Sequence, residues 1–436
     1  MIERGRYIER LEKRKHNGRV KVITGVRRCG KSYLLFEMFA SHLRAQGVDD
    51  GHIVKIALDE EEFAELRNPI ALGKHIRSRI KGNGWHYVFI DEIQLCRKVA
   101  NPGFADVEID KSDSGDAVIT FYDVLNGLLH IPNLDVYVTG SNSRMLSKDI
   151  ATNFRGRGDV IELHPLSFAE FLPATGLNEF NALRQYMIYG GMPLAVLEET
   201  ATEKEAYLKG LFSEIYFKDI SERNRVKDPA VLESVCDSAF SSIGSLTNPH
   251  RLTGTLNAAG IVTNDHTLAK YLEYLEDAFL ISKARRFDVK GKHYLDFPSK
   301  YYAEDPGLRN ARLNFRQVEF THLMENIIYN ELVRRGFSVD VGVIFMQGKD
   351  AGKRVLRQHE IDFVVNMGSI KLYIQSAFAV SDDAKKEQET FSLKRTGDSF
   401  RKIVVTGGME PTYTDDNGIL FTNVIDFLLD EKLIQV

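Results

Sequence analysis

The sequence predicts an α/β protein: a mainly parallel sheet comes first, then a helical segment, a region of helices ending in a hairpin, and a small second α/β domain. Three observations carry this. To about residue 165, short β-rich runs alternate with helical stretches, the pattern of parallel strands joined by crossover helices. Two of those runs end directly in glycine-containing polar turns, at Gly25 and Gly140, and a third ends in the acids Asp91 and Glu92. Beyond about residue 301, a helical stretch at 323–335 precedes four more β-rich runs, FSVDVGVIF, EIDFVV, IKLYIQSAF and KIVVTG.

Taken in order, the first strands are expected at 20–24, 52–58, 86–90, 135–139 and 160–163. In an open α/β sheet ligands sit beyond the carboxyl ends of the strands, so the three punctuated ends would face one crevice. Residues 96–120 form a polar, acidic connection, longer than loops of compact domains usually are, and read as a surface insertion. From Ser167 the pattern turns helical through SFAEFL, a turn at GGMP, and the amphipathic run LKGLFSEIYFKDI. Next, ISKARRFDVKGKHYLDF alternates on both sides of Lys290 and Gly291 and predicts a hairpin behind helices, as in a winged helix. The expected domains are 1–165, a helical lid at 166–230, a winged-helix-like region at 231–302, and 303–436.

The chain's 436 residues exceed one compact core, and 43% hydrophobic with 27% charged residues fits a soluble protein with sizeable cores. No apolar run approaches the ~20 residues needed to cross a bilayer, and the first residues are charged, so a cytoplasmic protein with no membrane partner is expected. Cys29, Cys96 and Cys236 form neither a CxxC pair nor an even set, so neither a disulfide framework nor a thiolate metal site is indicated. A net charge of −4 offers no global attraction to nucleic acid, so any such contact must come from local clusters.

The sequence Gly25-Val26-Arg27-Arg28-Cys29-Gly30-Lys31-Ser32 fits GxxxxGK[ST] with a strand before it and a helical stretch, beginning at Tyr33, behind it. In such a loop the glycines let backbone N–H groups point at phosphates, the lysine reaches the β and γ oxygens, and the hydroxyl of Ser32 can ligate Mg2+. Cys29 reads as a small semi-buried filler. At HYVFIDEIQ a buried strand would deliver Asp91 to the Mg2+ shell and Glu92 to the attacking water. A third strand, DVYVTGSNSRML, brings Thr139, Ser141 and Asn142 to the same edge, where a polar side chain could sense the γ-phosphate or orient water.

Together, GVRRCGKS, YVFIDEIQ, YVTGSNSRML, FRGRGDVIELHPLSFAEFL and YGGMP resemble the AAA-type P-loop ATPases of bacteria and archaea that carry a C-terminal domain of unknown function. The resemblance spans nearly the whole chain. It implies a P-loop NTPase sheet that uses ATP and Mg2+, a sensor at Ser141 or Asn142, and an arginine finger acting in trans at Arg157 or its neighbour Arg155. A finger in trans implies a ring or dimer.

Two further sites are expected. Lys283, Arg285, Arg286, Lys290, Lys292 and His293 cluster in the hairpin against Asp288 and offer a positive wing for DNA backbone contacts. On the preceding helix Leu268, Leu272, Leu275 and Phe279 form the core face, with Lys270 and Tyr274 opposite. The last domain resembles the fold named for its PD-(D/E)xK pattern, with Glu325 or Glu331 on a helix and Asp362 on a strand. Where that pattern asks for an acid and a lysine, this chain has Gln375 and Ala377, so the resemblance implies a degenerate nuclease site built on Glu331, Asp362 and Gln375. A neutral amide is a poor substitute for a carboxylate around a hard cation.

These readings converge on a Mg2+-dependent ATPase whose nucleotide state is coupled to DNA binding or remodelling, alone or as a homo-oligomer. The rival is a nucleotide-gated module that recruits a protein partner without DNA. An active endonuclease is the least favoured reading.

Overall fold

The computed structural model describes residues 2–104, 117–140, 154, 156–350 and 353–434, in two compact units that divide between His164 and Pro165. In the first unit five parallel strands form one sheet: β1 (Val20–Thr24), β2 (Ile53–Ala57), β3 (His86–Asp91), β4 (Leu134–Thr139) and β5 (Gly158–Glu162). Their order is β2-β3-β4-β1-β5. Each expected strand is present, with ends displaced by a residue or two. Strands β1, β3 and β4 are buried along their whole length, as apolar runs are when helices cover both faces of a parallel sheet. Val22, Val88, Ile90, Val136 and Val138 pack there with Leu72 and Ile76 of helix Pro69–Arg79 and with Leu125 and Leu128 of helix Phe121–Leu128. Because β4 lies between β1 and β3, the carboxyl ends of all three meet. Within the 96–120 insertion, Val99–Ala100 and Val118–Ile119 pair antiparallel; residues 105–116 lie outside the described residues.

The second unit opens with helices Phe168–Thr175, Glu179–Tyr189, Pro193–Leu197 and Ala201–Gly210, the last continued by a π-helical segment, Leu211–Phe217, and by Lys218–Arg223. Ser167 and Glu170 form a capping box at the first. The GGMP turn is a tight junction. Gly191 N–H donates to Asp305 Oδ2 at 2.6 Å, and a Cβ on Gly191 would lie 2.3 Å from the carbonyl oxygen of Leu166. Asn310 donates to the carbonyls of Met187 and Ile188 at 3.0 and 2.8 Å. The lid segment is thus tied to residues beyond 302.

The nine-stranded sheet of this unit uses β6 (Leu246–Thr247), β7 (Ile281–Asp288), β8 (His293–Ala303), β9 (Ser338–Asp350), β10 (Lys353–Met367), β11 (Ile370–Ala377), β12 (Arg401–Thr406), β13 (Tyr413–Thr414) and β14 (Leu420–Asn423). Its order is β13-β14-β12-β11-β10-β9-β7-β8-β6. The hairpin expected around Lys290 forms between β7 and β8, but it is no free wing: β7 also pairs in parallel with β9, Val341 against Arg286. The boundary expected at 302/303 therefore runs through the middle of a sheet. Helix Asp265–Asp277 buries Leu268, Leu272 and Leu275 as expected, and Tyr274 with them, at 5% exposure. That helix touches helices Pro229–Ser241 and Pro249–Ala258 as well as β7, so it buries more than one stripe. Among the described residues no helix is long and apolar enough to cross a membrane.

Candidate phosphate site

The loop begins where β1 ends. Gly25 has φ 136°, and a Cβ there would lie 2.0 Å from the carbonyl oxygen of Leu163, so only glycine passes the end of β5. Gly30 has φ 98°, and Arg28 also takes left-handed backbone, at φ 60°. Val26 and Cys29 are fully buried, so Cys29 fills more of the interior than a semi-buried residue would. From Lys31 the chain is helical through Lys31–Tyr33, a π-helical stretch Leu34–Phe39, and Ala40–Ala45. The helix N-terminus stands behind the loop, with its first-turn N–H groups and the positive end of its dipole directed there. Lys31 is buried and curls over the loop, its Nζ donating to the carbonyls of Gly25 at 3.0 Å and Val26 at 2.9 Å. Tyr33 is exposed on the first turn.

Opposite the loop, β3 delivers the two acids. Ser32 Oγ donates to Asp91 Oδ2 at 2.7 Å, and the Thr139 hydroxyl donates to Asp91 Oδ1. Glu92 N–H in turn donates to Thr139 Oγ1 at 3.0 Å. Thr139 is therefore the bridge between the two acids and is fully buried, rather than a side chain presented to a ligand. Glu92 has φ 51°, a left-handed backbone that is strained for a residue with a side chain and turns its carboxylate out of the strand direction. The amide of Gln94 donates to that carboxylate. Burial pushes the Glu92 carboxyl above its ordinary value, and Asp91 adds to the rise, while Lys31, Gln94 and Arg27 oppose it.

Two roles went unread in the sequence. Gln94 is visible only as the last letter of DEIQ, two residues past the acid. Arg4 braces the loop from far upstream, donating to the carbonyls of Cys29 at 3.4 Å and His164 at 2.8 Å, and no local pattern announces it. Arg157 is exposed and precedes β5. Since Val20 pairs with Gly158, Arg157 lies at the strand starts, the edge of the sheet away from this loop. Ser141, Asn142 and Arg155 lie outside the described residues.

In the second unit the basic cluster divides. Lys283, Arg285, Lys290, Lys292 and His293 are exposed, Arg285 stacking on Tyr294 at 3.9 Å. Arg286 is 4% exposed and donates to Gln358 at 2.7 Å, which removes it from any wing surface: β7 is an interior strand, and its alternation turns Arg286 inward. The nuclease-like residues also rearrange. Glu331 makes 2.7 Å ion pairs with both Arg334 and Arg335 and takes no part in a site with Asp362. Glu325 is the helix acid that faces Asp362: Lys300 Nζ lies 2.9 Å from Glu325, 2.7 Å from Glu360 and 3.5 Å from Asp362. Gln375 is turned to Asp362, whose N–H donates to Gln375 Oε1 at 3.4 Å.

Residues 17–172 match the model of an AAA domain, and residues 180–319 match a domain of unknown function (DUF8612). An uncharacterized protein of Haemophilus influenzae is 33% identical over 98% of this chain and 99% of its own length. Another, of Methanocaldococcus jannaschii, is 27% identical over 85% of this chain and 77% of its own. Among solved structures the Walker-type ATPase of Pyrococcus abyssi aligns over 72% of this chain and 96% of its own, with 15% identity and a TM-score of 0.48. Shared over nearly its whole length with the first of these relatives, the chain belongs to the same family as that Haemophilus influenzae protein, with the match to an AAA domain at its front, over the loop and the paired acids.

Proposed function

We propose that the chain is a Mg2+-dependent ATPase that binds ATP on the Gly25–Ser32 loop and hydrolyses it with Glu92 as the base. The carrying observation is the chain of bonds from Ser32 to Asp91 to Thr139 to Glu92, which sets two hard oxygen donors beside Lys31 and a carboxylate of raised pKa next to them. Such donors fit a small hard cation. Ser32 and Asp91 would hold Mg2+, which when bound draws charge off the β and γ oxygens. Lys31, released from the carbonyls of Gly25 and Val26, pairs with those same oxygens. Glu92 takes the proton of the attacking water, held in position by the Gln94 amide and by the bond from its own N–H to Thr139. Lys31→Ala should lose ATP binding in a calorimetric titration while keeping its fold by circular dichroism; binding as tight as the parent's would overturn the assignment.

ATP use is coupled in this reading to DNA held by the exposed cations of the β7–β8 hairpin. The support is the set Lys283, Arg285, Lys290 and Lys292, diminished by the loss of Arg286 to the interior. That loss favours the rival, a nucleotide-gated module for a protein partner. Salt separates the two: each phosphate contact made by a lysine adds about one unit to the slope of log K against log salt. Double reversal, Lys290→Glu with Lys292→Glu, should weaken duplex binding and reduce that slope by about 2. No binding of the parent at low salt would leave the protein-partner reading.

A further inference from the structure

The nuclease-like pattern implies a divalent metal at Asp362, and the residues do not fit one. The strand position that should carry a carboxylate is Gln375, and the lysine position is Ala377. The carboxylates that do assemble are Glu325, from helix Phe320–Arg334, and Glu360 and Asp362, from β10, and between them stands the ammonium of Lys300, from β8. Its distances of 2.9, 2.7 and 3.5 Å are those of ammonium pairs. Mg–O bonds are about 2.0–2.1 Å and Ca–O bonds about 2.3–2.6 Å. Among the described residues no group of three His, Cys, Asp or Glu side chains is placed to hold a metal ion.

We infer that Lys300 is the resident cation of this carboxylate cage, a protein ammonium standing where a nuclease-like centre would take a divalent metal.

The surroundings are built around that ammonium. Lys300 is buried and its pKa is driven far up: burial acts against the charge, but Glu325, Asp362 and Glu360 outweigh it. Tyr302, two residues along β8 and on the same face, donates its hydroxyl to Glu325 Oε1 at 2.7 Å, and Ser376 N–H donates to Asp362 Oδ2 at 2.9 Å. Arg286 adds a second positive charge near Glu360. Three carboxylates surround this one ammonium, and burial, Glu325 and Glu360 push the Asp362 carboxyl up against the pull of Lys300. The ammonium itself fills the space between the three carboxylates and engages an oxygen of each. While Lys300 holds the centre, a metal has no place in it.

Manganese titration of the nucleotide-free full-length chain, read by electron paramagnetic resonance, tests this, with Asp362→Asn as the background. The parent should show no Asp362-dependent Mn2+ binding, and its melting temperature should not respond to Mn2+ through this site. Lys300→Met, which keeps the apolar stem and deletes the charge, should gain a single Mn2+ ion that disappears when Asp362→Asn is added. Mn2+ should also raise the melting temperature of Lys300→Met. Lys300→Gln serves as a second, polar variant if the first folds poorly. Asp362-dependent Mn2+ binding by the parent overturns the inference, and so does a folded Lys300 variant that gains none. Should neither variant fold, the comparison of the parent with Asp362→Asn decides alone.

Discussion

Glu92→Gln is expected to bind ATP as tightly as the parent and to hydrolyse it about 10²–10⁴-fold more slowly, the range over which a positioned general base contributes. The argument is local. Glutamine keeps the size and the hydrogen-bonding capacity of the side chain, so the left-handed turn at Glu92 and the bond from its N–H to Thr139 survive. Only the ability to take a proton is lost. The parent's pH profile carries the same residue. Because burial and Asp91 raise the Glu92 pKa, protonation silences the base at a higher pH than for a free glutamate, and turnover should fall on the acid side as pH drops through that raised value. Gln94→Ala removes a donor that favours the carboxylate, so the acid limb should move further up with little change in KM. A Glu92→Gln chain that hydrolyses ATP at the parental rate, measured by phosphate release under saturating ATP, would assign the base elsewhere.

How much of this was legible in the sequence depends on how local each interaction is. Strands β1, β3 and β4 were readable because each is a short apolar run ended by glycine or acid, and the phosphate loop needs only its own eight residues. Crossover helices make these strands parallel but leave their order open; the order β2-β3-β4-β1-β5 brings Thr139 to Asp91 as the sequence suggested, though as a bridge between the acids. In the second unit the sequence is silent where pairing is remote. Alternation in ISKARRFDVKGKHYLDF specifies a hairpin but not a third strand, and it was β9 that turned a wing into a sheet interior and took Arg286 from the surface. Lys300 illustrates the same limit: a single lysine in FPSKYYA gives no hint of three carboxylates drawn from a helix and another strand.

Glu331→Ala should destabilise the second unit by about 3–5 kcal/mol, the cost of leaving buried charge unpaired. Glu331, Arg334 and Arg335 are all buried, and each oxygen of the single carboxylate takes one guanidinium at 2.7 Å. The spacing, an acid followed by arginines at i+3 and i+4 on one helix, is an ordinary intrahelical pair pattern. What the sequence could not show is the reach of Arg335, which also donates to the carbonyls of Phe427 at 2.8 Å and Leu428 at 3.2 Å and so fastens helix Val424–Leu429 to helix Phe320–Arg334. Removing Glu331 leaves two buried guanidinium charges without their carboxylate and loosens that attachment. For a unit of this size the loss corresponds to a melting shift on the order of 10 °C. Glu331→Gln keeps the acceptor oxygen and should lose less, because one guanidinium retains a partner. Were Glu331 instead a ligand of a functional centre with Asp362, its removal would leave the melting temperature near the parent's, since catalytic carboxylates are held at a cost to stability.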